Sequence, residues 1–363
     1  MTTEGIALAT PRPVVLARQA RTVAGVAGCA LLLGAGLWLA FAGATNNWIV
    51  DLNYPVPEPH WMLGPLTGIA PGLTDSSTSW LLALMLAGWL LGLTVVRRLA
   101  LWVPVAITTL LSVFFTLTSP IFSADVFSYV AYGRMFALHG INPYLHGPSA
   151  AAHDPVLPYV YWIHTPAVYG PLDTLLNAAL APLGVAAETW SLKAICGVAM
   201  LVAIYFSVRA AKLAGRSPGR AAWFLANPPL IAYGVGGAHV DLLIAALCSV
   251  ACFMLLRGRA ISAGIGFAAA MGIKSTVVVM AALALAQRGL DRRRLLVGLL
   301  GGGLLLGAMC LAFGGAMPDS HVLTDPSFAF PFTFQDDVGR VLKSGVTRTS
   351  IEVVLVLGGL LVA

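Results

Sequence analysis

The stretch that decides the fold is "VAGVAGCALLLGAGLWLAFAG", residues 23–43, which carries no charged residue. A helix of about 20 apolar residues crosses the hydrocarbon core of a bilayer. Arg18 and Arg21 precede the run and "AFAGAT" closes it, a pattern that also fits a secretory leader. The run is long enough to span, and more runs of its kind follow, so it reads as an uncleaved first helix. Those runs are 79–96, 99–118, 188–211, 238–256 and 295–313. Two others, 221–236 and 261–287, are apolar but interrupted. Lys274 divides the second, which predicts two short pieces there.

Composition agrees. Hydrophobic residues make up 58% of the 363 and charged residues 10%, with a mean hydropathy of +0.86. A soluble domain averages about 25% charged residues, so a water-soluble protein of this size is excluded. The expected fold is all-α: a polytopic transmembrane helical bundle with outer-face loops and interfacial helices. The net charge of +6 sits in short basic clusters between the apolar runs. That pattern serves membrane orientation, and no nucleic-acid partner is expected. Cys29, Cys196, Cys248, Cys252 and Cys310 all lie in apolar runs without metal-site spacing to histidine, so they read as small core residues. No metal and no cofactor are expected.

Orientation follows from the arginines. Arg12, Arg18 and Arg21, Arg97 and Arg98, the group from Arg209 to Arg220, Arg257 and Arg259, and Arg288 to Arg294 mark cytoplasmic ends. Residues 1–22 then form a cytoplasmic tail, and 23–363 a single transmembrane domain with outer loops at about 44–78, 119–170 and 314–349. An odd number of crossings between 170 and 214 requires 171–185 to be re-entrant or interfacial. All seven histidines fall outside on this map: His60, His139, His146, His153, His164, His239 and His321. So do most acids, including Asp51, Glu58, Asp125, Asp154, Asp241, Asp319, Asp325, Asp336 and Asp337. Chemistry is therefore expected on the outer face. The last run, 350–363, is short and has no basic flank, which reads as a truncated longer chain.

Three stretches hold candidate site residues. In "SPIFSADVFSYVAYGRM" (119–135), a helix from 124 to 138 puts Asp125, Ser128, Tyr129 and Tyr132 on one face, with Val126, Phe127, Val130 and Met135 opposite. Such a helix lies in the interface with its polar edge toward water. Asp125 there is either a helix cap or a general base. Arg134 is a candidate contact for an anionic group. In "GINPYLHGPS" (140–149), Gly140 suits a C-cap, and Asn142 and Tyr144 either touch a polar ligand or make a turn. In "NPPLIAYGVGGAHVDLL" (227–243), two prolines break the helix and His239 and Asp241 open the next one. Helix N-termini favour anions such as phosphate, and Asp241 also suits a cap. Lys274, in "MGIKSTVV", lies far from the cytoplasmic clusters and either snorkels or pairs with an anion. A carboxylate base beside a phosphate-holding cation at a lipid boundary suits sugar transfer from a lipid phosphate to a hydroxyl. The alternative is a transporter or flippase of lipid-linked sugars. No internal repeat of the kind transporters use is evident.

These stretches resemble the polyprenol-phosphomannose-dependent α-1,6-mannosyltransferases of actinobacteria, multi-span GT-C glycosyltransferases that build the mannan core of lipomannan. The likeness covers roughly residues 99–340 and rests on "SADVFSYVAYGRMFALHGINPY", "NPPLIAYGVGGAHVDLL" and "GIKSTVV". It implies a GT-C-like fold in the plasma membrane with the active site on the outer (periplasmic) face. It implies Asp125 as catalytic base, and Tyr129, Tyr132, Arg134, Asn142, Tyr144, His239, Asp241 and Lys274 as substrate contacts. It implies a polyprenyl-phosphate-mannose donor, a mannan or lipoglycan acceptor, and inversion from a β donor to an α product. Members usually read Ala-His-Asn-Asp where this chain reads Ala238-His239-Val240-Asp241, so an amide contact is absent here. The family is also longer than 363 residues.

Overall fold

The computed structural model describes residues 12–46 and 60–318, with side chains from residue 19. Among these residues every regular element is helical, as the composition requires. The uninterrupted runs become α1 (Arg12–Thr45), α3 (Asp75–Gly92), α4 (Trp102–Leu117), α7 (Val185–Leu213), α9 (Asp241–Leu256) and α12 (Arg292–Leu311). The remaining helices are shorter: α2 (His60–Leu63), α5 (Asp125–His139), α6 (Pro171–Leu180), α8 (Pro218–Leu225), α10 (Ala260–Met271) and α11 (Val278–Ala286). Gln19–Thr45, Val185–Leu213 and Arg292–Leu311 are long and apolar enough to cross a membrane, and the chain is an all-α membrane protein.

Some helices stop short of their apolar runs. α4 and α9 have 16 residues each, about 24 Å of rise. α4 ends where Thr118 turns extended two residues before Pro120. α9 starts late because residues 236–240, which follow a π turn at Leu230–Val235, form a turn with Ala238 left-handed. Both interrupted runs break where expected. Pro228 and Pro229 have no N–H to give, and Asn227 Oδ1 accepts from the Leu230 N–H at 3.0 Å to start the π turn. The second run breaks after Met271, with Lys274 extended at φ −150°. The stretch 171–185 becomes the ten-residue α6 and a 3-10 turn, about 15 Å of helix and too short to cross alone.

Packing uses small residues. A Cβ at Gly28 or Gly88 would run into backbone across the α1–α3 contact, and one at Gly264 or Gly298 would do so between α10 and α12. Without a hydrophobic drive between helices in lipid, such close approach supplies the dispersion contact. α4 lies against α1, α7 and α8, and α7 continues onto α9. Trp89 and Trp223 exchange indole N–H bonds with each other's carbonyls at 2.9 and 3.0 Å, which joins α3 to α8.

The end of α1 positions the first outer segment. A helix leaves its last carbonyls without helical partners. Here Ala40 O accepts from the Thr118 hydroxyl, Gly43 O from Ser119 and Ala44 O from Thr67. The chain leading into α5 is thereby fixed before Asp125 is reached. His321, Asp51, Glu58, Asp319, Asp325, Asp336, Asp337, the outer loop from 319 to 349 and the run 350–363 lie outside the described residues.

Candidate active site

α5 forms one residue inside its expected start and ends at Gly140, whose φ of 64° is the left-handed cap that glycine adopts without penalty. Its setting differs from expectation. Residues 126 to 135 are buried on every face, so the helix is interior and not an interfacial helix with a wet edge. The reason is the segment 165–170, which covers the polar face. The Tyr132 hydroxyl donates to Thr165 O at 3.0 Å, and the Tyr129 and Tyr169 rings meet edge to face at 4.8 Å. On that polar face, Asp125 stays partly accessible, with 27% of its side chain exposed.

Asp125 is the first residue of α5, following Ala124, which makes no side-chain cap. Ser123 Oγ instead accepts the Asp125 N–H at 3.1 Å. The carboxylate is therefore free of cap duty, and its Oδ2 lies 3.7 Å from His239 Nδ1. That is ion-pair reach, beyond a direct hydrogen bond. Two segments 114 positions apart thus meet at one point.

The backbone around this pair is strained. Among the described residues, Phe122 (φ 68°) and Ala238 (φ 55°) are the non-glycine positions with positive φ. Phe122 precedes Asp125 by three residues, and Ala238 directly precedes His239. Three glycines lie close by, Gly234, Gly236 and Gly237, yet Gly236 is right-handed and the left-handed position falls on alanine. Each such residue costs about 1–3 kcal/mol and persists only where the surroundings enforce it, commonly at functional sites. The enforcement is visible. Phe122 stacks on Tyr233 at 4.7 Å, and the Ile121 N–H donates to Gly236 O at 3.3 Å.

The second half of the site is Asp241 and Lys274. Asp241 opens α9, and its Oδ1 accepts from Lys274 Nζ at 3.0 Å. The anion that Lys274 meets within the protein is therefore Asp241. Both side chains are substantially exposed, 32% and 47%, and such pairs contribute only about 0–1 kcal/mol, so a phosphate can compete for the lysine. Lys274 Nζ also lies 5.9 Å from the Tyr169 ring centroid. The Lys274 loop is held by backbone bonds from the Gly170 N–H to Ile273 O at 2.7 Å and from the Leu172 N–H to Gly272 O at 2.9 Å. A Cβ on Gly170 would overlap Gly272 O. Tyr169 and Tyr129 link the two halves, hydroxyl to hydroxyl at 3.4 Å. Burial pushes both phenols well above their ordinary range, and the negative charges of Asp125 and Asp241 add to this. They remain neutral at physiological pH.

Next to these residues lies a cavity of about 700 Å³ whose walls include Gly170, Gly272, Ser275, Gly303, Gly307 and Cys310. Gly170 follows Tyr169 in the chain, and Ser275 follows Lys274. Apart from Ser275, these wall residues are apolar or small.

Four sequence candidates are engaged elsewhere. Arg134 is buried, bonded to Asp154 at 2.9 Å and to Ala181 O at 3.2 Å. Asn142 holds a turn, accepting the Tyr144 N–H at 3.0 Å and donating to Phe313 O at 2.7 Å. The Tyr144 hydroxyl pairs with Thr174 at 2.9 Å. These are structural contacts. The Tyr132 hydroxyl is likewise taken by Thr165 O. The residues brought together are Asp125, His239, Asp241, Lys274 and Tyr129. Tyr169 completes the set; it stands in an irregular segment with no periodicity to flag it. Among the described residues, no group of three or more His, Cys, Asp or Glu side chains is placed to hold a metal ion.

No solved structure matches the chain. Two curated relatives do. It is similar to "Alpha-(1->6)-mannopyranosyltransferase A" of Corynebacterium glutamicum, 32% identical over 171 residues, covering 44% of this chain and 34% of that protein. It is similar to the protein of the same name from Mycobacterium tuberculosis, 31% identical over 170 residues, covering 44% and 32%. The match thus spans about a third of the length of these relatives. A family model described as "Alpha-(1->6)-mannopyranosyltransferase, N-terminal domain" matches residues 22–288, which include α5, the π turn and the Lys274 loop, and the chain belongs to that family.

Proposed function

We propose that this protein is an integral-membrane mannosyltransferase. It moves mannose from a polyprenyl-phosphate-mannose donor to a hydroxyl of a growing α-1,6-mannan, the core of a lipoglycan. The observation that carries the reading is the meeting of Asp125 with His239, near the start of α9 where Asp241 pairs with Lys274. Family membership supports α-1,6-mannosyl transfer. The site residues supply the steps.

Asp125 is the general base. His239 stands at its Oδ2, and Oδ1 has no protein hydrogen-bond partner among the described residues. Oδ1 takes the proton of the acceptor hydroxyl as that oxygen attacks the anomeric carbon from the face opposite the phosphate. The bond from the anomeric carbon to the phosphate oxygen breaks, and its electron pair leaves with the polyprenyl phosphate. Attack from the opposite face inverts the centre, β donor to α product, through an oxocarbenium-like state. Lys274 exchanges Asp241 for the phosphate and stabilises its growing charge. The N-terminus of α9 adds its dipole. The neutral hydroxyls of Tyr129 and Tyr169 meet each other between base and cation, and the neighbouring cavity takes the proximal part of the prenyl chain. The helices cross the plasma membrane several times, with this site on the outer face.

The test is transfer by the purified protein in nanodiscs, with labelled polyprenyl-phosphate-mannose and a short α-1,6-mannoside. The reading predicts an elongated α-1,6 product, and none from a nucleotide-mannose donor. Movement of the lipid-linked sugar between leaflets without a new glycosidic bond would overturn it in favour of a flippase.

A further inference from the structure

The residue that joins the two halves of the reacting pair is a lysine inside an apolar helix. Lys193 lies in α7 and is fully buried. An ionisable side chain within a spanning segment is costly and marks a task. Its Nζ donates to Gly236 O at 2.7 Å and to Phe115 O at 3.2 Å. The same Gly236 carbonyl accepts from the Ile121 N–H. Lys193 thus binds the end of α4 and the turn that carries His239, and through the shared Gly236 carbonyl it is tied to the segment running into Asp125. One turn on, Cys196 Sγ lies 3.6 Å from His239 O, so α7 grips this turn at both ends.

We propose that Lys193 is a positioning residue that sets the spacing of Asp125 and His239. The carbonyl it holds is a poor place for an alternative partner. A Cβ on Gly236 would overlap Ala232 O, and one on Gly237 would crowd Tyr233 O. The turn is therefore packed on its far side by its own backbone, and the lysine supplies the attachment on the near side. Strain at Phe122 and Ala238 means that both segments would relax if released. Lys193 touches neither reacting group. It acts through Gly236, three residues before His239, and through Ile121, four before Asp125. The role in catalysis rests on the transfer reading given above, whereas the positioning of the two segments does not.

Two variants test it in nanodiscs. Lys193→Met removes the donor while keeping an unbranched chain; Lys193→Gln keeps two N–H groups on a shorter stem. In Lys193→Met, amide exchange over 119–124 and 234–239 should quicken about tenfold, while α12 stays within about twofold. Transfer kcat should fall about 10- to 100-fold with donor KM within about threefold, and Lys193→Gln should recover part of that kcat. Adding Lys193→Met to His239→Ala should cost little more than His239→Ala alone. Unchanged exchange, exchange raised evenly over all helices, or failure of both variants to fold would overturn the proposal. So would a loss carried by KM, or additive losses in the double variant. If wild-type protein transfers no mannose but the two segments still loosen in Lys193→Met, the clamp stands and the transfer reading falls.

Discussion

The Arg134 guanidinium faces Asp154 across two hydrogen bonds, Nε to Oδ1 at 2.9 Å and to Oδ2 at 3.1 Å, with both side chains buried. His139 Nε2 adds a contact to Asp154 Oδ2 at 2.7 Å, and the Val156 N–H donates to Oδ1 at 3.0 Å. Breaking a buried pair by removing one partner costs about 3–5 kcal/mol. Arg134→Ala is therefore expected to lower the thermal midpoint sharply. Donor KM in whatever folded fraction survives should stay near wild type, because Arg134 does not face the Asp125–His239 site.

The same cluster sets a pH dependence. Burial alone would raise the Asp154 carboxyl, but hydrogen bonds from Arg134, His139 and the Val156 N–H outweigh it and hold it below its ordinary value. A depressed carboxyl contributes stability in full above the unfolded value of about 4, and that contribution is lost as pH falls through the folded value. The midpoint difference between wild type and Asp154→Asn should be largest near neutrality and shrink below about pH 4.

Asp173 carries the opposite sign. It is buried in α6 with Oδ1 lacking a hydrogen-bond partner. Burial pushes its carboxyl up to about 7, with the charge of Asp241 adding to the rise. A raised carboxyl is neutral and unpenalised at low pH, and stability is lost as pH rises through the folded value. Asp173→Asn should therefore be more stable than wild type above pH 7, by about 1–3 kcal/mol, with the gain closing toward pH 4. Thermal midpoints at pH 5 and pH 8 check the sign.

The Lys274 loop depends on a close backbone crossing. Gly170→Ala would press a methyl group into the Gly272 carbonyl and disturb the bonds that hold Ile273 and Gly272. Overpacking of this kind costs about 1–3 kcal/mol. Because the displaced loop carries Lys274, donor KM should rise more than kcat falls. Lys274→Met should raise donor KM about tenfold, and Lys274→Arg should recover much of it. Steady-state kinetics separate these outcomes.

Local features of the fold were legible in the sequence. The breaks at Pro228-Pro229 and before Lys274, the Gly140 cap and the extent of α5 follow from φ limits, missing donors and helical spacing. The site was legible in part, because Asp125, His239, Asp241 and Lys274 are polar residues at the ends of apolar runs. The partners of Arg134, Asn142 and Tyr144 were not, since Asp154, Phe313 and Thr174 lie 20, 171 and 30 positions away and no periodicity connects them. Burial of the polar face of α5 was missed for a related reason. Tyr169 and Thr165 sit in an irregular segment, and only the tertiary fold brings them over Tyr129 and Tyr132. Lys193 did carry a signal, as a cation well inside the run 188–211, whose other cation, Arg209, lies near its far end; its partners became evident only from the meeting of three segments.

The most direct measurement compares wild type with Asp125→Asn, which keeps the side chain's shape and removes its capacity to take a proton. Binding of the labelled lipid donor and single-turnover transfer to an α-1,6-mannoside are followed on the same preparation. With Asp125 as base, donor binding stays within about threefold while transfer falls about 10²- to 10⁴-fold. Transfer within about threefold of wild type would contradict the assignment of that carboxylate to the chemistry.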